Sequence, residues 1–229
     1  MASVTDVPVL AVDGPGGSGK GTVCQALTRM LGWHLLDSGA IYRALAVAAA
    51  RRGITPDAEP DLVALARALD VAFEPAPGDG GVRVRVDGED VSGEVRSETT
   101  GDLASRVAAV SPAREALLAR QRSFRVAPGL VADGRDMGTV VFPDATLKVF
   151  LTASTEERAR RRHKQLKEQG GGGSLADLVE EIAARDERDR TRETAPLIPA
   201  TDAVRVDSTG RSVQDVVDEV HTLLRERLY

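Results

Sequence analysis

The stretch Val7-Pro8-Val9-Leu10-Ala11-Val12-Asp13-Gly14-Pro15-Gly16-Gly17-Ser18-Gly19-Lys20-Gly21-Thr22 decides the fold. Its first half, Val7 to Val12, is a short apolar run ended by Asp13 and a glycine-rich turn, as expected of a strand buried on both faces. Beyond the turn, Val23, Leu27, Met30 and Leu31 recur on one helical face, and Gly32 supplies a stop just past the last turn. Gly14 to Lys20 therefore fits G-x-x-x-x-G-K between a strand and a helix, the setting of a phosphate-binding loop. Glycines let the backbone approach phosphate closely, and successive N–H groups with the helix N-terminus form an anion cradle. Lys20 reaches the outer phosphates as a point charge. The alternative, a glycine-rich turn that binds nothing, gives Lys20 no task. Gly21 follows Lys20 and the hydroxyl comes one step later, at Thr22. Whether Thr22 meets magnesium directly or through water stays open at this point.

Outward from the loop, strands and helices alternate. His34-Leu35-Leu36 is a second apolar run, and Asp37-Ser38-Gly39 opens an alanine-rich helix capped by Asp37 or Ser38 and ended by Gly53 and Pro56. Between Val71 and Val91, Val82, Val84 and Val86 alternate with Arg83 and Arg85 ahead of the turn pair Asp87-Gly88, which predicts a small antiparallel sheet with a loop over 74–81. Two helical stretches split at Ser111-Pro112 and run to about Phe124. Leu130-Val131-Ala132 before Asp133-Gly134, Leu147 to Leu151, and Val204-Arg205-Val206 are further strand candidates. A helical hairpin spans Thr155 to Lys167 and a second helix from near Ser174, with Gly170 to Gly173 at its tip; Val213, Val217, Val220 and Leu224 mark a closing amphipathic helix. This alternation predicts an α/β core with a parallel sheet, whose ligands bind beyond the carboxyl ends of the strands. Asp13, Asp37 and Asp133 all fall at such ends.

At 229 residues the chain suits one core carrying inserted subdomains. With 42% apolar and 28% charged residues it has the makings of a packed core and a wet surface, which argues against disorder. No apolar run approaches the ~20 residues of a membrane span, and Met1 to Pro8 lacks the features of a signal peptide, so a cytoplasmic protein is expected. Cys24 is the only cysteine, which rules out an intrachain disulfide and suits a small helix residue; the three histidines show no metal-ligand spacing. A net charge of −5 argues against a nucleic acid polymer as partner, so any basic site is local.

Several charged residues stand where a site would be. Asp133, closing a strand, is placed either to hold magnesium or its water shell or to cap a turn. Arg135 and Asp136 follow it, as a grip on a polar ligand or as a solvated pair. Arg158, Arg161 and Arg162 crowd one helix; Arg158 and Arg162 share a face suited to a base and phosphate oxygens, or to solvent. On the next helix the apolar stripe Leu178, Ile182 continues as Arg185, Asp189 and Arg192, which reads equally as a cleft wall or an exposed salt-bridged end.

Taken together, DGPGGSGKGT at 13–22, LLDSGAIYR at 35–43, EDVSGEVR at 89–96, PAREALLARQRSF at 112–124, ADGRDMGTVVFPDA at 132–145 and RDERDRTRETAPL at 185–197 closely resemble bacterial cytidylate kinase over nearly the whole chain. The resemblance implies a P-loop kinase core with a five-stranded parallel sheet, an inserted nucleotide-acceptor domain with a small antiparallel sheet, and a helical lid. The core would comprise 1–37, 105–153 and 193–229, the acceptor domain 38–104 and the lid 154–192. The implied reaction is ATP plus CMP or dCMP giving ADP and the diphosphate, by a monomer that uses no nucleic acid polymer and no membrane. By similarity, ATP lies on Gly14 to Thr22 with Arg158 and Arg162. Ser105, Arg114 and Asp136 would contact cytosine, Arg185 and Asp189 the sugar, and Ser38, Arg43, Arg135 and Arg192 the acceptor phosphate and transfer centre. Lys20, Arg135, Arg192 and Asp133 would be the catalytic set, with Asp133 holding Mg2+ through water. The run Gly170 to Gly173 departs from the family's lid tip. A P-loop kinase with another small acceptor, or a nucleotide-dependent binding module, are the rival readings. A substrate panel separates the first, and the net negative charge counts against the second.

Overall fold

The chain's computed structural model describes residues 7–75, 82–168 and 172–228. Most of the loop expected over 74–81, and Gly170 and Gly171 of the glycine run, lie outside the described residues. Two compact units emerge, one formed by residues up to Leu36 together with Arg122 onward, the other by Asp37–Gln121.

The first unit is built on a five-stranded sheet. Its strands are β1 (Val9–Asp13), β2 (His34–Asp37), β6 (Leu130–Gly134), β7 (Leu147–Thr152) and β8 (Val204–Asp207), in the order β2-β6-β1-β7-β8. β1 lies at the centre, parallel to both β6 and β7, and all five of its residues are buried. That double burial is why it reads as an unbroken apolar run. It begins at Val9, two residues later than the sequence predicts. Helix α1 (Lys20–Leu31) and the closing helix α9 (Val213–Leu228) cover the sheet. Leu10, Val12, Val131, Val149 and Leu151 pack with Val23, Cys24 and Leu27 of α1 and with Val216, Val217, Val220 and Leu224 of α9. Each such side chain contributes about 1.5–3 kcal/mol by leaving water. Gly32, at φ 64, ends α1 and donates its N–H to Thr28 O, the expected glycine stop. Helices α7 (Thr155–Glu168) and α8 (Leu175–Thr191) pack against each other, and Ser174 caps α8 by accepting from Ala176 N.

The second unit contains helix α2 (Ser38–Arg51), capped by Asp37, whose side chain accepts from Ala40 N. Helices α3 (Glu59–Ala68), α4 (Ser92–Val95), α5 (Glu98–Val107) and the start of α6 (Ser111–Arg122) surround it, with α5 packed along α2. The antiparallel sheet β3 (Val71–Pro75), β4 (Val82–Val86) and β5 (Glu89–Asp90) forms as expected. Asp87 and Gly88 take φ 51 and 80, the paired left-handed geometry that suits a two-residue hairpin. Helix α3 is absent from the sequence reading. Its signal was Pro60 in the first turn followed by Leu62 and Leu65, buried at helical spacing.

One glycine fixes how the phosphate-binding loop leaves the sheet. Gly14 has φ +149, and a Cβ there would lie 2.0 Å from the carbonyl oxygen of Leu151 on β7. Every atom it would meet belongs to the Leu151 backbone, so no side chain can swing aside. Gly14→Ala is expected to cost about 3 kcal/mol through overpacking and a Tm lower by roughly 6–12 °C. A thermal melt superimposable on that of the parent chain would mean that the loop does not sit on β7 in this way.

Candidate active site

The loop between β1 and α1 turns its carbonyls toward fixed partners. Lys20, only 5% exposed, donates from Nζ to Pro15 O at 2.9 Å. Arg158 Nη1 donates to Gly16 O at 3.1 Å, and the Ser208 hydroxyl donates to Ser18 O at 2.9 Å, with Arg161 Nη1 alongside at 3.3 Å. Tying the carbonyls in this manner leaves the loop's N–H groups to face the opposite way, toward an anion. Gly19 at φ 90 hands the chain into α1, whose unpaired first-turn N–H groups complete the cradle. Burial first, then the Arg135 charge, pushes Lys20 down to about 8, while Asp133 pulls it up. Lys20, Asp133 and Arg135 thus act on one another at the mouth of the loop.

Asp133, one residue before the end of β6, lies level with Val12 of β1, and its Oδ2 lies 3.6 Å from where a Cβ on Gly21 would be. Gly21 therefore faces the Asp133 carboxylate, and Thr22 is exposed. Among the described residues no group of three or more His, Cys, Asp or Glu side chains is placed to hold a metal ion. A carboxylate beside the phosphate cradle fits magnesium that arrives with nucleotide phosphates and its own waters, and does not fit a metal held in an all-protein cage.

Arginines converge on the loop from three elements. A Cβ on Gly16 would lie 3.4 Å from Arg135 Nη2 and 3.8 Å from Arg185 Cζ, so the missing side chain is what admits both guanidinium groups. Asp189 of α8, 5% exposed, accepts from Arg135 Nε at 2.9 Å. Burial pushes its carboxyl up, yet Arg135, Arg185 and Arg192 outweigh burial and hold it below the usual carboxylate range. Arg192 stands just past α8 in extended backbone rather than on the helix, and its Nε donates to Ala195 O at 2.6 Å. Leu197 N folds back to the Asp189 carbonyl at 2.8 Å, which fixes that turn.

The α7 arginines divide differently from the face that sequence spacing picks out. Arg158 is 3% exposed and committed to Gly16 O, Ala153 O, Thr155 Oγ1 and both oxygens of Asp186. Arg162 is half-buried and donates to Gln165 Oε1. Arg161, given no role by the sequence reading, joins the loop through Ser18 O and Ser208. Asp186 and Ser208 were likewise missed. Each is recognisable only through partners remote in the chain.

Asp136 is buried and begins a π-helical turn, Met137–Val141, that the sequence reading did not predict. The carboxylate of Asp13, at the end of β1, accepts from Met137 N at 2.7 Å and Gly138 N at 2.8 Å. Burial pushes Asp13 up to about 6, against the two N–H donors; Asp136 adds to the rise and Lys20 opposes it.

The second unit holds the remaining predicted residues. Ser38 is buried at the start of α2 and Ser105 is half-buried on α5. Arg43 Nη1 donates to Val95 O at 2.7 Å, and a Cβ on Gly101 would come 3.2 Å from its Nη2. Arg114 is buried on α6, donates to Ala108 O at 3.1 Å, and stands 5.2 Å over the Tyr42 ring, within cation–π range.

A profile of the family described as "Cytidylate kinase" matches residues 10–226. Among curated proteins, the chain is 56% identical to the cytidylate kinase of Edwardsiella ictaluri over 97% of this chain and 98% of that protein. It is 58% identical to the one from Pseudomonas aeruginosa over 93% of each, and 53% identical to the one from Klebsiella pneumoniae over 97% of each. With a profile and relatives that run nearly end to end through the phosphate-binding loop, the arginine-rich helices and the Asp133–Gly138 segment, the chain belongs to the cytidylate kinase family.

Proposed function

We propose that this chain transfers the γ-phosphoryl group of ATP to CMP and dCMP. The observation that carries the reading is the convergence of Lys20, Arg135 and Arg185 on a phosphate-binding loop whose carbonyls are tied away from the cradle. Transfer between two phosphorylated nucleotides gathers many anionic oxygens in a small space, and positive groups held in place beforehand lower that cost. The acceptor phosphate is already an anion near neutral pH, so no general base is required. An acceptor oxygen forms the new bond to the γ-phosphorus, the bond to the β–γ bridging oxygen breaks, and ADP departs with the electron pair.

The N–H groups of Gly14 to Thr22 and Lys20 bind the ATP phosphates, Arg158 and Arg161 brace that loop from behind, and Arg162 flanks the donor nucleotide. Arg135 and Arg192 face the transferring group, and Ser38 and Arg43 hold the acceptor phosphate. Asp133 would hold magnesium or its water shell, and the ion would supply charge to offset that developing on the phosphate oxygens. Ser105, Arg114 and Asp136 read cytosine; Arg185 and Asp189 serve the sugar. Residues 154–192 act as a lid that keeps water from taking the phosphoryl group. The protein works as a cytoplasmic monomer on free nucleotides; the net charge of −5 supports this over a role on nucleic acid, and among the described residues no helix is long and apolar enough to cross a membrane.

Three outcomes test these assignments. Cytosine offers an amino donor at N4 beside acceptors at N3 and O2, whereas uracil reverses the first two, leaving buried groups unpaired at roughly 1–3 kcal/mol apiece. Asp136→Asn supplies a donor toward O4, so its CMP activity is expected to fall and its CMP to UMP ratio in kcat/KM to narrow about tenfold or more. Equal losses for both acceptors would assign Asp136 to the transfer centre or the fold. Asp189→Ala releases Arg135 as well as a sugar contact, so turnover should drop roughly tenfold with either acceptor, with a further few-fold loss confined to CMP, which has one more hydroxyl. Undiminished turnover with dCMP would show that Arg135 does not depend on Asp189. In the free protein Lys20 sits at about 8, so its charge is complete near pH 6.5 and lost as pH climbs past 8. Since kcat/KM reports the free enzyme, its value for ATP should fall about tenfold per pH unit above roughly 8.5, while kcat at saturating ATP, whose phosphates restore the proton, stays level. A kcat/KM profile flat to about pH 10 contradicts Lys20 as the phosphate ligand.

A further inference from the structure

We propose that Asp13 is a positioning residue for base selection, holding the Asp136–Met137 peptide in place from the root of the phosphate-binding loop. The proposal rests on the reading that Asp136 takes the amino group of cytosine, and it concerns what aims that side chain.

The peptide unit joining Asp136 to Met137 has two polar edges. Its N–H, on Met137, donates to Asp13 Oδ1 at 2.7 Å. Its carbonyl, on Asp136, accepts from Val140 N at 2.9 Å and Val141 N at 3.1 Å. The plane is therefore held along both edges, and the Cα of Asp136 with it. Asp13 makes a second bond, from Gly138 N to Oδ2 at 2.8 Å, so the carboxylate spans two successive N–H groups. Slack is also removed on the far side: a Cβ on Gly138 would come 3.1 Å from the Cγ and Cδ of Lys148 on β7 and 3.4 Å from Asp13 Oδ2. Gly138 is pressed between the Lys148 stem and the Asp13 carboxylate.

The chemistry at position 13 is demanding. Asp13 is 4% exposed and lies close enough to Asp136 for the two charges to oppose each other. An uncharged side chain would escape that opposition. Only a carboxylate, however, offers two equivalent acceptor oxygens to two adjacent N–H groups; an asparagine accepts from one and turns its own amide donor on the other. Asp13 makes both bonds despite that opposition. What it holds is the segment bearing Arg135 and Asp136, and a displacement of about 1 Å in a reading group costs on the order of 100-fold. The cradle itself is secured separately, by Gly14 against β7 and by Lys20, Arg158, Arg161 and Ser208 on its carbonyls. Loosening Asp13 should therefore harm acceptor recognition far more than ATP binding.

The experiment compares wild type and Asp13→Asn for KM with ATP, and for kcat/KM with CMP and with UMP, alongside thermal melts. The expected result is a KM for ATP within about twofold of wild type, kcat/KM for CMP lower by roughly 10- to 100-fold, and a CMP to UMP ratio narrowed about fivefold or more. An unchanged ratio, with ATP and CMP parameters falling together, overturns the proposal and makes Asp13 a support of the loop or the fold alone. A wild type that uses CMP and UMP equally takes down the reading of Asp136, and this proposal with it. If Asp13→Asn does not fold, the wild type carries the test through backbone hydrogen exchange. Protection at Met137 and Gly138 comparable to that of the β1 amides supports the clamp, and exchange at the rate of open loops overturns it.

Discussion

Everything the first unit does depends on holding a phosphate-binding loop with its carbonyls outward. A run of successive N–H groups facing one point is unfavourable in the absence of an anion, because their partial positive charges repel. Here the opposite edge of the loop is satisfied in advance by Lys20 on Pro15 O, Arg158 on Gly16 O, and Ser208 with Arg161 on Ser18 O. The geometry an anion requires is therefore present before one arrives, and ordering is not charged against binding.

The same economy governs the buried cations. A guanidinium taken out of water is costly unless its donors are met, and one broken partner in such a pair leaves an uncompensated charge. Arg158 meets this demand through Asp186 and three neutral oxygens, which makes it a tie between α7, α8 and the loop. Asp189 does the equivalent for the arginines that approach Gly16, with its carboxyl held below the usual range by Arg135, Arg185 and Arg192. Two aspartates three positions apart on one helix, Asp186 and Asp189, thus serve two separate arginine sets. α8 is best regarded as a carrier of counter-ions for the positive charge that the chemistry needs.

Legibility in the sequence followed the range of the interactions involved. β1, β6 and β7 were readable because strands buried on both faces leave continuous apolar runs, and Asp87-Gly88 because a two-residue hairpin imposes its own turn chemistry. Helix α3 escaped notice because Gly53 and Pro56 marked an end without drawing attention to the new start at Pro60. The π-helical turn has its first two N–H groups bonded to Asp13, more than a hundred residues upstream, so no local pattern announces it. The phosphate-binding loop was readable from residues alone. Ser38, Ser105 and Arg114 were not: they came from the resemblance, since an isolated serine or a buried arginine carries no spacing signal. Arg158 and Arg162 share a helix face, yet spacing is silent on burial, and the structure gives one of them to the loop and the other to Gln165.

Ser208 closes the loop's far edge through a hydrogen bond to Ser18, across a sequence separation of 190 residues. On a ribosome the glycine-rich segment emerges long before β8 exists to receive it. Until residue 208 has cleared the exit tunnel, the Ser18 carbonyl lacks this donor and the sheet lacks the edge strand that leads to it. A growing chain thus displays the cradle's sequence well before it owns the finished cradle. The far edge of the cradle is complete only once β8 has docked beside β7 and Ser208 has met Ser18.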